Sequence, residues 1–254
     1  MLAISLALVV SQASGPGKLV DAFLSSLDHE KRAKATFIFD SEERFNWGFV
    51  PRVRNGMSRE GLDTLQKGRL DDLLLAILGP HGFKKAAGIR LLESVLRDLE
   101  GPHRNPEAYF ASVFGTPGKG RWGVRYEGHH LSLNYTYDGD KLISTTPQFL
   151  GANPAEVRSG PHKGLRVLAK EEDLARELAK SLSGDQRTAG ISTAAAPADI
   201  VTSNARTASI LKGTGVRYEN LDVRQQARQA VDLVGAGLLG GQRAGPLAPR
   251  ALVT

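Results

Sequence analysis

Cysteine is absent from the 254-residue chain. That removes disulfides, thiolate metal sites and a cysteine nucleophile together, and leaves any metal to His, Asp and Glu. Aromatic residues are scarce at 6%, so the core is expected to be built mainly from Leu, Ala, Val and Ile. No apolar run is long enough for a membrane-spanning helix, which needs about 20 residues; the segment Leu2 to Val10 is much shorter. Neither sign of charge dominates, since 33 Lys and Arg stand against 27 Asp and Glu for a net +6. Such a modest surplus does not mark a nucleic-acid binder. The Arg44 to Arg59 stretch, with Phe45, Trp47 and Phe49 between its arginines, reads as a surface loop pinned by aromatics. A nucleophile elbow is missing. The glycine-rich Gly115-Thr-Pro-Gly118-Lys119-Gly120 fits neither phosphate-loop pattern and precedes a strand.

The composition is that of an ordinary globular protein, with 41% hydrophobic and 24% charged residues. The run LAISLALVV at positions 2–10, followed by Ser11-Gln12-Ala13-Ser14, has the pattern of a cleaved signal peptide ending at Ala13. The expectation is an exported protein, periplasmic or extracellular. A cytoplasmic protein with a buried N-terminal strand is the alternative. Residues 16–239 then form a single α+β domain. Positions 240–254, rich in Gly, Ala, Pro and Arg, form a tail too poor in apolar residues to order itself.

Helices are expected over Lys18–Leu27, from His29 behind the cap Asp28, from Ser58 or Arg59 to Leu78, and from Phe83 to Leu99, with a stop at Gly79-Pro80. The periodicity then changes. Trp122–Tyr137 and Lys141–Thr146 read as strands joined at Asp138-Gly139, a hairpin signal. Helix returns over Lys170–Ser181 and Leu221–Val234. The fold class is therefore α+β, with helical segments flanking a central antiparallel hairpin sheet.

Two segments repeat. Ser26-Leu27-Asp28-His29-Glu30-Lys31-Arg32 resembles Ser181-Leu182-Ser183-Gly184-Asp185-Gln186-Arg187 at an offset of 155 residues. Leu62-Asp63, Gln66 and Arg69 recur as Leu221-Asp222, Gln225 and Arg228 at an offset of 159. Two matches at nearly one spacing point to an internal duplication in which the second helical unit has no second sheet after it.

Chemistry is concentrated in Gly128-His129-His130-Leu131-Ser132-Leu133-Asn134. Read as one strand, its alternation puts His129 with Glu127 on the core side and His130 with Ser132 and Asn134 on the polar side. Gly128 then marks a bulge able to re-aim one imidazole. Glu127, His129 and His130 are the candidate ligands of a transition metal, zinc, iron or copper, because imidazole and carboxylate two residues apart suit those ions. A further ligand has to come from elsewhere, with His162, His103 and His81 as candidates. Arg52, Arg125, Ser132 and Asn134 are the candidate contacts to a small or anionic ligand. The competing reading is a core histidine bonded to Glu127 and a surface histidine beside hydroxyls.

Several segments resemble a largely bacterial family catalogued as domain of unknown function 3500. They are Arg44-Phe45-Asn46-Trp47, Pro51-Arg52, the run from Trp122 to Asn134, Thr146-Pro147, Gly151-Ala-Asn153-Pro154 and Glu171-Glu172. Longer members of that family carry a second sheet with further histidines near the C-terminus. The resemblance therefore implies a member incomplete at its C-terminal end, and it brings no known reaction. Two functions are expected from different classes: a metal-dependent enzyme of unassigned reaction, and a non-catalytic exported binding protein for an anionic ligand.

Overall fold

The computed structural model of the chain describes residues 15–191, 195, 199–200, 202–207 and 215–227. The expected leader at 1–13, the tail at 240–254 and positions 228–234 of the last expected helix lie outside the described residues. The chain divides into two compact units, one up to Val167 and one from Leu168.

The first unit opens on α1, Pro16–Ser26, where proline at the first position presets the helical φ. Val20, Phe23 and Leu24 recur at helical spacing and are buried. Full burial of one such side chain contributes about 1.5–3 kcal/mol. Asp28 accepts from Lys31 N at 2.8 Å and starts α2, His29–Ala35, as the sequence predicts. A two-residue strand β1, Thr36–Phe37, leads into a long loop with a 3-10 turn at Glu42–Phe45. The loop ends in β2, Met57–Ser58, and a second 3-10 turn, Arg59–Gly61.

Helix α3 spans Thr64–Glu100 and is capped by a reciprocal Asp63–Gln66 box. The expected break occurs at Gly79, which leaves helical geometry at φ 66° and ψ 173° before Pro80. The helix resumes at once, because proline needs no N–H partner in a first turn.

Five strands follow: β3 Phe110–Phe114, β4 Arg121–Gly128, β5 Leu131–Asp138, β6 Lys141–Ser144 and β7 Gln148–Leu150. With β1 and β2 they form a mixed seven-stranded sheet in the order β1-β3-β4-β5-β6, with β2 also on β3 and β7 also on β5. Only β1 runs parallel to its neighbour. The class is α+β. The stretch 122–137 is two strands rather than one, paired Gly128 to Leu131 through the two-residue turn His129-His130. His130 takes φ 55° there. No bulge lies at Gly128; the register shift of this sheet falls between Thr136 and Tyr137.

The turn fixes which residues share a face. Trp122, Val124 and Tyr126 of β4 pair with Tyr137, Tyr135 and Leu133 of β5, and all pack into one core with Phe23, Leu70, Leu73 and Ile89 of α1 and α3. The opposite face carries Ser112, Arg125, Glu127, Ser132 and Asn134, in register as Ser112–Arg125–Asn134 and Glu127–Ser132.

The second unit contains α4, Ala169–Ser181, α5, Gly184–Gly190, a 3-10 turn at Tyr218–Asn220, and helical residues at 223–227. No strand is present among its described residues. The repeat seen in the sequence recurs in its main hydrogen bonds. In the first unit Gln66 Nε2 donates to Ser26 O at 2.8 Å, and Asp63 N and Lys31 Nζ donate to Gln66 Oε1, each at 3.1 Å. In the second, Gln225 Nε2 donates to Ser181 O at 2.8 Å, and Asp222 N and Gln186 Nε2 donate to Gln225 Oε1 at 2.9 and 3.2 Å. Both glutamines are buried, as are Leu62 and Leu221 beside them.

Candidate functional site

Two polar assemblies meet at the β4–β5 hairpin, on opposite sides of the sheet. The first lies beneath the 42–56 loop. Arg125 is 1% exposed; its guanidinium donates to Glu43 O at 2.7 Å and is ion-paired with the Glu43 carboxylate. Its Nε stands 3.2 Å from Glu127 Oε1, and Arg54 Nε stands 3.9 Å from the same oxygen. Gly48 N donates to Glu127 Oε2 at 2.8 Å. Arg54 also donates to the carbonyls of Gly48, Val50 and Gly128 at 3.2, 2.7 and 3.0 Å.

Burial pushes the Glu127 carboxyl upward, while Arg125, the Gly48 N–H and Arg54 pull it down. Burial likewise opposes ionisation of Glu43. Donations from Asn46, Asn55 and Arg125 hold that carboxyl below its ordinary range.

This assembly corrects the expected ligand set. Glu127 does not share a face with His129. It faces two guanidinium groups and a backbone N–H, and its register partner is Ser132. Ser132 and Asn134 share one face, as expected, and the turn's reversal of parity brings Arg125 onto that face with them, but inside a cover. Ser132 is fully buried, and Asn134 donates to Ser132 Oγ and Pro147 O at 3.1 and 2.9 Å. Arg52 sits in the covering loop and donates to Asn46 Oδ1 and Asn46 O at 2.8 and 2.6 Å.

The second assembly is the turn itself. His129 and His130 do not point to opposite faces; their rings lie side by side, with centroids 4.1 Å apart. His129 Nδ1 is paired with Glu93 of α3, a carboxylate 4% exposed among Ile89, Leu92 and Leu96. With Glu93 at Nδ1, Nε2 is the ring nitrogen turned to any other partner. Burial, and then the neighbouring His129, push the His130 imidazole down to about 4, so it is neutral at pH 7.

The turn's backbone is held at every side. Tyr109 Oη donates to His129 O at 2.9 Å, His130 N donates to Phe49 O at 2.7 Å, and Gly151 N donates to His130 O at 2.8 Å. Phe49 and Phe149 stack beside it at 4.1 Å.

Sequence reasoning missed Glu93 and Tyr109. The signal for Glu93 was present: it is a charged residue on the buried stripe of an amphipathic helix, where an unpaired carboxylate is not tolerated. Among the described residues no group of three or more His, Asp or Glu side chains gathers with metal-holding geometry, so His81, His103 and His162 do not complete one. No described helix is long and apolar enough to cross a membrane.

A family model described as "Protein of unknown function (DUF3500)" matches residues 11–237. No curated protein and no solved structure matches the chain.

Proposed function

The chain belongs to the DUF3500 family, and from that premise, which brings no reaction with it, we propose that it is a metal-dependent enzyme centred on His129 and His130. The observation that carries the proposal is the pair of adjacent imidazoles with the buried Glu93 behind one of them. A carboxylate at the far ring nitrogen is how proteins orient a ligating histidine and raise its basicity. The adjacent His130 imidazole, whose buried Nδ1 has no hydrogen-bond partner, supplies the second nitrogen donor. With nitrogen donors and no thiolate, the set suits zinc, copper or iron, and two protein ligands leave positions for water and substrate. The metal would supply Lewis-acid or redox chemistry; the chain supplies the orientation.

Export from the cell belongs to the same reading, supported by the apolar run at 2–10 and the small residues around Ala13. A mature native protein beginning at Ser14 on N-terminal sequencing is the expected result. The alternative, anion binding through Arg52 and Arg125, is less favoured because both guanidinium groups already donate within the protein.

The test is calorimetric titration of tag-free protein with Zn²⁺, Cu²⁺ and Co²⁺. His129→Ala abolishes binding, and Glu93→Gln weakens it by about 10–100-fold. Wild-type affinity in His129→Ala ends the proposal.

A further inference from the structure

Resting on that reading, we infer that Tyr109 is a positioning residue for His129, acting through the main chain while Glu93 acts through the ring. Tyr109 is fully buried at the entry to β3, one residue before Phe110. Its ring lies against the backbone of Gly128, the last residue before the turn. A Cβ at Gly128 would come within 2.6 Å of Tyr109 Cε1 and 2.7 Å of Cγ, so only glycine admits the ring at this depth. The phenol then reaches past Gly128 and donates to the His129 carbonyl. The ring of Tyr126 stacks on it at a centroid distance of 6.0 Å and blocks its retreat into the core.

His129 is thus held at two points on opposite sides of its Cα. Tyr109 fixes the peptide plane that follows it, and Glu93 fixes Nδ1. With both fixed, the direction in which Nε2 points is set before any ion arrives, which is what pre-organisation of a ligand requires. The glycine of Gly128-His129-His130 has its explanation here: it is the gap through which the tyrosine reaches the turn.

The experiment uses the full-length, tag-free chain and Co²⁺ as probe. Affinity and visible absorption are read for wild type, His129→Ala and Tyr109→Phe, with thermal unfolding of each metal-free protein alongside. Tyr109→Phe keeps the ring and removes one O–H. It is expected to weaken Co²⁺ binding by about tenfold and to shift the ligand-field bands, while His129→Ala abolishes both.

A Tyr109→Phe protein with unchanged affinity and spectrum, whatever its unfolding midpoint, overturns the inference and leaves the metal reading standing, provided His129→Ala fails to bind. Full binding by His129→Ala overturns both. If Tyr109→Phe does not fold, Gly128→Ala, which displaces the ring and with it draws the hydroxyl away from the His129 carbonyl, is read in the same way.

Discussion

Arg125 and Glu127 are two residues apart on β4, both 1% exposed, and ion-paired to each other beneath a loop. Removing one member of such a network costs more than the pair contributes, because the partner's charge is left buried. Arg125→Met removes the guanidinium shared by Glu43 and Glu127 and should cost about 3–5 kcal/mol in urea unfolding. Glu127→Gln leaves Arg125 with Glu43 and should cost clearly less; the reverse order would mean that Glu127 is not paired as described. Alkaline titration tests the other face. Burial raises the phenols of Tyr126 and Tyr135 to about 12. A raised folded pKa contributes stability that is complete below the unfolded value near 10 and lost as pH rises through the folded value. Tyrosinate absorbance should therefore lag behind that of the urea-unfolded chain, and its last part should appear together with loss of far-ultraviolet circular dichroism. Phenols ionising near 10 in the folded protein would contradict the packing of β4 and β5 on α3.

The elements the sequence revealed are those with their own local chemistry. Asp28 announces the start of α2, and Gly79-Pro80 announces the break in α3; the Asp63–Gln66 box, which starts α3 at Thr64 rather than at the expected Ser58 or Arg59, was passed over. Gly79 has open space around its missing Cβ, so Gly79→Ala should cost about 1–3 kcal/mol from its backbone angles alone, which essentially only glycine adopts. The strands β1, β2 and β7 are two or three residues long, too short for any alternation to show. The His129-His130 turn was legible by another route. Apolar positions fall on even numbers at Trp122, Val124 and Tyr126, then on odd numbers at Leu131, Leu133, Tyr135 and Tyr137. A single strand cannot bury both sets on one face, whereas a two-residue turn reverses the parity and can. His-His lacks the residues usual in tight hairpins, which hid the turn. At His130, glycine should reach φ 55° without steric cost, so His130→Gly should change stability by less than about 1 kcal/mol. The β-branched His130→Val should lose more in the same denaturant titration.

At the scale of the whole chain, half of the candidate site was readable. The two histidines lie in one contiguous motif, but Glu93 and Tyr109 reach them from 36 and 20 residues away. No local pattern brings distant positions together; the packing of α3 and β3 against the turn does. The helical repeat, by contrast, was visible because the same residues make the same bonds twice. Gln66 and Gln225 each join a helix cap to the end of an earlier helix, the first in a unit built around a sheet and the second in a unit with no described strand. One polypeptide thus carries its own matched control. Gln66→Ala and Gln225→Ala each delete the bond to the end of the earlier helix and the bond from the cap N–H, and differ in the third partner, Lys31 or Gln186, so hydrogen exchange at Ser26 to Lys31 and at Ser181 to Gln186 compares one knot in two settings under identical solvent, temperature and protein concentration. A larger loss of protection around Gln225 would give the difference in local opening between the two units as a measured ratio of exchange rates.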